Sequence, residues 1–225
     1  MIYVYAVTEG VPSPAARDGV GLADQELRVV AASGLAAVVS DHPGGLTSPS
    51  ETELWAHERA VERLMADGAV LPMRFGSLLP DEGAVRALLN TRRAELTTGL
   101  ARVAGAIELG VRAVWRSDGG VPEQAPGDRT SGSGYLQGLV GQRRRARALA
   151  ERIDTPLARL ARDSRHRLLL TANLPLSGAY LVDRERLDAF RTEVVALDEQ
   201  ISQAEIMCTG PWPPYSFAAA SPEAA

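Results

Sequence analysis

The sequence predicts an α+β protein in which helices pack on one face of antiparallel sheets. The order strand, strand, helix, strand occurs in each half of the chain. Between the halves, residues 117–134 are rich in Gly, Pro, Ser, Asp and Arg, which is typical of a flexible linker. A chain of 225 residues with 45% apolar residues is long enough for two packed domains. We therefore expect one domain at 1–116, the linker at 117–134, a helical segment with a second domain at 135–217, and a disordered end at 218–225.

Five strands and two helices are predicted for the first half. The strand at 2–6 is rich in β-branched and aromatic residues, and Ser33-Gly34 joins the next two strands as a hairpin. The first helix has Ser48 as its N-cap, Pro49 as its first residue and Glu51 three positions after the cap. The inner face of this helix is predicted to carry Leu54, His57, Val61, Leu64 and Met65. The remaining elements are strands at 27–32, 35–40, 70–77 and 107–115, and a helix at 81–104.

The stretch Val70-Leu71-Pro72-Met73-Arg74-Phe75-Gly76-Ser77 is predicted to be a short strand, because it is apolar and bounded by turn residues. Pro72 has no N–H to donate, so the strand lies at an edge, begins at this residue or carries a bulge. Arg74 follows apolar neighbours, and a buried guanidinium without a partner costs several kcal/mol. We expect a carboxylate or backbone carbonyls to pair with Arg74, either within this chain or from a partner.

In the second half, a helical pattern extends from Tyr135 to about Arg165, with a kink or a break expected at Thr155-Pro156. This helical segment is predicted to lie between the two sheet domains. The remaining predicted elements are strands at 166–173, 178–183 and 204–209, and a helix at 184–200.

Bulk composition argues against several classes of protein. The net charge of −4 is unfavourable for a general nucleic-acid or anionic-membrane binder. Cys208 is the single cysteine, so an internal disulfide is excluded and a reducing cytoplasm is expected. The sequence contains no apolar run of about eighteen residues, so we expect the chain neither to be exported nor to span a lipid membrane.

Catalytic and cofactor-binding motifs are absent from the sequence. His42, His57 and His166 have no neighbouring ligands at the spacing of a metal site. Cys208 has no recognisable base partner for a nucleophilic role. No phosphate-binding loop follows a predicted strand, although Gly132-Ser133-Gly134 contains glycines. We therefore expect no enzyme activity, no metal, no cofactor and no small-molecule substrate.

The densest basic run is Arg143-Arg144-Arg145-Ala146-Arg147, on the predicted helix. It is interpreted first as a solvated helix face. A surface for an acidic partner and an RNA-binding surface are the alternatives.

The aromatic residues near the C-terminus lie on a proline-rich segment. Trp212, Tyr215 and Phe217 are spaced by Pro213 and Pro214, which reduce the entropy that the segment loses on docking. Burying one such aromatic side chain removes about 150–250 Å² from water. We expect the segment to fold back on its own domain, with a contact to another protein as the alternative.

Three motifs together resemble the gas vesicle protein F/L family. The first is His57-Glu58 on a helix, followed by Leu71-Pro72-Met73-Arg74-Phe75-Gly76. The second is the strand around Tyr180, and the third is Gly210-Pro211-Trp212-Pro213-Pro214-Tyr215-Ser216-Phe217. The resemblance extends in order from residue 2 to residue 217. It implies structural or partner-contact roles for the following residues of these motifs: His57, Leu71, Pro72, Arg74, Phe75, Gly76, Tyr180, Gly210, Pro211, Trp212, Pro213, Pro214, Tyr215 and Phe217.

The resemblance also implies a fold and a function. Each half is expected to hold a ferredoxin-like domain. The protein is expected to be an accessory or minor structural component of the gas vesicle, required for assembly of its shell in the cytoplasm. Its implied partners are the small, hydrophobic shell-forming subunit and other accessory gas vesicle proteins. The alternative is a regulatory module that senses a small molecule, because paired ferredoxin-like domains also serve that purpose.

Overall fold

The computed structural model describes residues 1–43, 50–116, 132–167 and 176–218, apart from the side chains of 132–139, 142 and 167. The chain forms two units. Unit 1 comprises Met1–Ile107 together with the C-terminal residues from Trp212 onward, and unit 2 comprises Glu108–Pro211. This division differs from the predicted domains at 1–116 and 135–217 in two places, because residues 108–116 belong to unit 2 and the C-terminal aromatic segment belongs to unit 1. Residues 117–131 and 219–225 of the predicted linker and end lie outside the described residues.

Unit 1 contains a sheet with the strand order β2-β3-β1-β4, and β5 pairs with the same edge of β1 as β4. All of these pairings are antiparallel. Pro72 pairs with Ala6 on the outermost strand, so of the three positions predicted for this proline the structure has the sheet edge. The strands are β1 (Ile2–Glu9), β2 (Arg28–Ala32), β3 (Leu35–Asp41), β4 (Val70–Pro72) and β5 (Leu78–Leu79).

The helices of unit 1 are α1 (Pro14–Arg17), α2 (Glu51–Asp67), α3 (Glu82–Thr91) and α4 (Arg93–Val103). A capping box formed by Ser50 and Glu53 begins α2. The predicted cap at Ser48 lies outside the described residues. The sequence contains Ser-x-x-Glu twice, two residues apart, so either register satisfies the pattern.

The predicted helix at 81–104 is divided into α3 and α4 at Arg92. This residue has φ −100° and ψ 16°, outside the helical range, and it both ends α3 and precedes α4. Its guanidinium donates to Glu95 in the first turn of α4, with Nε 2.8 Å from Oε2. The apolar stripe continues through the break, which explains why the sequence pattern does not reveal it.

Both faces of β1 are covered, since every residue from Ile2 to Thr8 is buried. On one side, Tyr3 and Tyr5 share a cluster with Leu64 of α2. On the other side, Leu71 of β4 contacts α4 at Gly99, where a Cβ would lie 3.0 Å from Leu71 Cδ1. The core of unit 1 therefore lies on both sides of its sheet, and not on one side only.

Unit 2 has the order β, α, β, β, α, β, which is the ferredoxin-like arrangement. Its sheet has the strand order β7-β8-β6-β9. Its elements are β6 (Ala106–Trp115), α5 (Gly132–Ala158), β7 (Asp163–Arg167), β8 (Leu176–Asp183), α6 (Leu187–Gln200) and β9 (Ala204–Trp212). The predicted α+β class with ferredoxin-like sheets is thus confirmed. The long helix α5 connects β6 to β7 within unit 2, whereas the sequence predicted a segment between two domains.

Two details of unit 2 also differ from the prediction. The helix α5 continues through Pro156 as one element, so of the predicted kink or break the break is wrong, and β7 begins at Asp163, three residues before the predicted strand. Among the described helices of both units, none combines the length and apolarity that crossing a membrane requires.

Candidate functional site

Three motif residues of unit 1, His57, Phe75 and Gly76, meet around the side chain of Tyr3. The Tyr3 hydroxyl lies 2.9 Å from Nδ1 of His57, and it accepts a hydrogen bond of 3.2 Å from the backbone N–H of Gly76. The Phe75 ring meets the Tyr3 ring edge-on, with 6.0 Å between centroids. We refer to Tyr3, Tyr5, His57, Phe75 and Tyr215 as the Tyr3 cluster.

The loop between β4 and β5 positions Phe75 of this cluster and the backbone N–H of Gly76. The N–H of Met73 donates to the Tyr5 carbonyl and the N–H of Val4 donates to the Ser77 carbonyl, so both ends of the loop are fixed to β1. Between these anchors, Gly76 has a φ of +87°, which favours glycine because it lacks a Cβ. This conformation directs the Gly76 N–H to Tyr3.

The imidazole of His57 is enclosed by aromatic rings. It is 3% exposed, it stacks on Tyr5 with 5.6 Å between centroids, and its centroid lies 6.2 Å from that of Tyr215. Burial lowers the pKa of His57 to about 4, although the nearby backbone of Met73 acts in the opposite direction. Burial also raises the pKa of Tyr3 above its ordinary value. Both side chains are therefore neutral near pH 7, which suits a role in packing.

The C-terminal segment docks on α2 through Tyr215. Its hydroxyl donates a hydrogen bond of 2.8 Å to Oε2 of Glu58. Burial, and then the negative charge of Glu58, raise the pKa of Tyr215 above its ordinary value. Pro213 and Pro214 are buried, and Phe217 has no exposed surface. The segment thus folds back within its own chain. It docks on unit 1, however, and not on the predicted domain that immediately precedes it.

The side chain of Tyr5, another member of the cluster, forms a hydrogen bond with the loop that precedes β2. Its hydroxyl lies 2.9 Å from Oγ of Ser40 and accepts a hydrogen bond of 2.7 Å from the Leu22 N–H. The backbone passes so close that a Cβ on Gly21 would lie 2.0 Å from the Tyr5 hydroxyl. Sequence reasoning missed Tyr3 and Tyr5 as site residues. Their alternation in β1, which places both on one face of the strand, was the available signal.

Several predicted motif residues lie outside this cluster. Arg74 is exposed to solvent, so the expectation that it is buried and needs a compensating partner is wrong. The chain turns at Phe75 and Gly76, and this turn directs the preceding side chain outward. In unit 2, Tyr180 is buried, donates to Oδ1 of Asp154 at 3.0 Å and packs against Phe190. Gly210 and Pro211 also belong to unit 2.

Large apolar side chains are exposed at the start of α2. Leu54 is 44% exposed and Trp55 is 52% exposed, whereas Leu54 was expected to face the core. The Trp55 indole N–H donates to Oε1 of Glu51 at 3.4 Å. Trp212 is 37% exposed at the start of the C-terminal segment. The buried residues of α2 are His57, Ala60, Val61 and Leu64.

The described polar groups do not form a metal site, and the pocket of unit 2 is small. Within the described ranges, no three His, Cys, Asp or Glu side chains are grouped so that they could hold a metal ion. A pocket in unit 2 has a volume of about 160 Å³ and is lined by Arg147, Ala150, Glu151, Asp154 and His166. Typical small-molecule pockets have volumes of about 300–1,000 Å³. This pocket therefore gives no specific support to a ligand-sensing module.

Known proteins resemble this chain along nearly its whole length. Gas vesicle protein F of Streptomyces sp. (strain CB03234) is 31% identical over 96% of this chain and 98% of its own length. Gas vesicle protein L of the same organism is 30% identical over 98% of this chain and 94% of its own length. The crystal structure of gas vesicle protein GvpF from Anabaena sp. PCC7120 has a TM-score of 0.83 and 23% identity, and covers 96% of this chain and 95% of its own; it supports the fold.

A family model described as "Gas vesicle synthesis protein GvpL/GvpF" matches residues 1–219. This match includes both units, the Tyr3 cluster and the docked C-terminal segment. The chain therefore belongs to the GvpL/GvpF family of gas vesicle synthesis proteins.

Proposed function

We propose that this protein is a non-catalytic assembly factor that binds the small, hydrophobic shell-forming subunit of the gas vesicle and other accessory gas vesicle proteins. It acts at the gas vesicle. The observation that carries this proposal is the family match over residues 1–219. The buried, neutral pair of Tyr3 and His57 is consistent with a protein that presents a folded surface to its partners.

The proposed contact for the shell-forming subunit is the exposed apolar start of α2. A subunit with an apolar face aggregates unless that face is covered. Leu54 and Trp55 are adjacent and each is about half exposed, so a partner can cover both. Because only about half of the Trp55 side chain remains exposed, covering it contributes roughly 2–3 kcal/mol before entropic costs. The hydrogen bond to Glu51 already restrains the Trp55 ring, which reduces the entropy lost on binding.

The position of the docked C-terminal segment also favours the start of α2 as the contact surface. It packs on α2 at Glu58, one turn after Leu54 and Trp55 along the helix. The segment thereby holds α2 in place while the first turns of the helix remain exposed. Trp212 adds a second exposed indole to unit 1.

Co-expression with the shell-forming subunit tests this proposal. We expect the intact protein to increase the fraction of shell subunit that stays in the supernatant, and the double variant L54S/W55S to lose most of that increase. The control V140S/V195S removes two exposed apolar side chains of unit 2 instead, where Val140 is 65% and Val195 is 59% exposed. Equal loss for both variants would contradict the assignment of this surface. No effect of the intact protein would contradict the binding function itself.

Gene deletion tests the biological role. In a gas-vesicle-forming host from which all related copies are removed, we expect buoyancy to be lost and to return when this chain is supplied. Buoyant cells without any copy would contradict a requirement in assembly.

A further inference from the structure

Positive charge is concentrated in one part of unit 2. Residues 143–167 contain nine arginines and three carboxylate residues, whereas the whole chain has a net charge of −4. Eight of these arginines have described side chains, and all eight are exposed. This concentration occurs on α5 and on the adjoining β7, a strand at the edge of the sheet. The region is therefore a basic surface on a chain that is otherwise acidic.

Three of these arginines form a row along α5. Arg145 and Arg152 are separated by seven residues, and Arg159 follows after seven more, one residue beyond the end of the helix. Seven residues are close to two helical turns, so the three Cα atoms lie on the same side at intervals of about 10.5 Å. We call Arg145, Arg152 and Arg159 the arginine row.

The helix itself does not neutralise the arginine row. Helical neighbours at i±3 and i±4 are the positions from which a carboxylate would pair with an arginine. For Arg145 and Arg152 these positions hold uncharged residues only: Gly141, Gln142, Ala148, Leu149, Thr155 and Pro156. By contrast, Arg147 pairs with Glu151 at 3.0 Å. In the described part of the chain, no ion pair involves a member of the row.

The surroundings of the row favour a protein over a lipid surface or a nucleic acid. The apolar face of α5 is occupied within unit 2, because Leu149, Ile153 and Leu157 are at most 3% exposed. It therefore cannot enter a lipid layer as a basic amphipathic helix does. Among the described residues, the exposed large aromatic side chains are Trp55 and Trp212, both of unit 1. Within the described part of unit 2, the row thus has no exposed aromatic platform of the kind on which nucleic-acid bases stack.

From this geometry we propose that the arginine row is a docking surface for an acidic helix of a protein partner, one that presents carboxylates at seven-residue spacing. Such a helix places its carboxylates at the same intervals of about 10.5 Å as the guanidiniums. Arginine binds carboxylates through two parallel hydrogen bonds, which gives the contact a defined register. This surface belongs to unit 2 and goes beyond the apolar contact assigned to unit 1, so each is tested separately.

Fluorescence anisotropy with a synthetic peptide tests the proposal. The probe is a labelled 22-residue, alanine-rich helical peptide with glutamate at positions 4, 11 and 18. Two further peptides carry glutamine at these positions, or the three glutamates at consecutive positions. We expect the full-length protein to bind the first peptide about tenfold more tightly than either of the others at low salt, with affinity falling as salt is added.

Matched protein variants locate the binding surface. The variant R145Q/R152Q/R159Q is expected to lose about tenfold in affinity for the first peptide. The control R74Q/R112Q/R186Q changes three other exposed arginines and the net charge equally, and it is expected to bind as the parent does. Thermal melting of both variants verifies that they are folded.

Three results would overturn the proposal. The first is an equal loss of affinity in the two variants, and the second is no binding of the first peptide. The third is binding of a 20-nucleotide single-stranded RNA with equal affinity and the same dependence on the row, which would assign the surface to nucleic acid.

Discussion

The hydroxyl of Tyr215 donates a hydrogen bond of 2.8 Å to Glu58, a residue 157 positions earlier in the chain. This contact joins the C-terminal motif to the helix that carries His57. A hydrogen bond to a charged acceptor contributes about 1.5–3 kcal/mol. The C-terminal segment and α2 are thus connected at the edge of the Tyr3 cluster.

The variant Tyr215→Phe is expected to lower the free energy of unfolding of unit 1 by about 1–3 kcal/mol, because Glu58 loses this donor. Urea denaturation of Y215F, E58A and the double variant measures the coupling, because an alanine side chain cannot accept this hydrogen bond. The effects of the two single substitutions should not add. Additive effects would show that the two side chains do not interact.

Stability should depend on pH through His57. Its pKa is about 4 in the folded protein and 6.5 as the ordinary value, so the unfolded chain binds more protons between these two pH values. Stability is therefore fully present above pH 6.5 and falls as the pH is lowered to 4, by about 3 kcal/mol. The variant His57→Gln lacks this pH-dependent contribution to stability, because glutamine does not titrate. Urea titrations of parent and variant at pH 7, 5.5 and 4.5 measure this difference. The difference in stability between the two proteins should shrink or reverse at low pH. A constant difference would contradict the burial of a neutral imidazole.

The variant Gly21→Ala is expected to destabilise unit 1 by about 3 kcal/mol, because the new methyl group displaces Tyr5 from its hydrogen bonds. Gly68→Ala is the control, since a Cβ at Gly68 meets no atom within 4 Å and its φ of 177° is open to any residue. Thermal and urea unfolding of the two variants make the comparison. Similar stabilities would argue against close contact between Gly21 and Tyr5.

Arg74 and Leu71 should respond differently to truncation. Arg74→Ala is expected to change the free energy of unfolding by less than about 0.5 kcal/mol, because the side chain is exposed. Leu71→Ala should cost about 2–5 kcal/mol, because the side chain has no exposed surface. Urea denaturation distinguishes the two outcomes. A large loss of stability in R74A would instead support the structural ion pair that the sequence predicted.

The fold class was predictable because its signals are local. Alternation and β-branched content identified β1 and β6, and Pro72 marked the edge of the sheet. The membership of β6 and α5 in unit 2 was not predictable in the same way. Strand pairing joins residues far apart in sequence, and the pattern strand, strand, helix, strand has more than one division into units.

The candidate site was predictable only in part. The resemblance identified His57, Phe75, Gly76 and Tyr215, but it did not identify Tyr3, which contacts the first three of them. The error at Arg74 has a physical origin, since a left-handed glycine two residues later turns the chain out of the strand. Leu54 was assigned to the core by its helical spacing, yet it is 44% exposed, because periodicity gives no information about how far along a helix the burial of its apolar face extends.

The docking of Phe217 and Tyr215 on unit 1 has a consequence for biosynthesis. The ribosome makes β1 and α2 early, but it delivers the segment that completes their packing only after all of unit 2 has emerged. Until then, unit 1 lacks these two rings. Unit 1 consequently cannot complete its packing before unit 2 has been synthesised. A stop codon placed just after Pro211 would leave unit 1, the part made first, without its C-terminal segment.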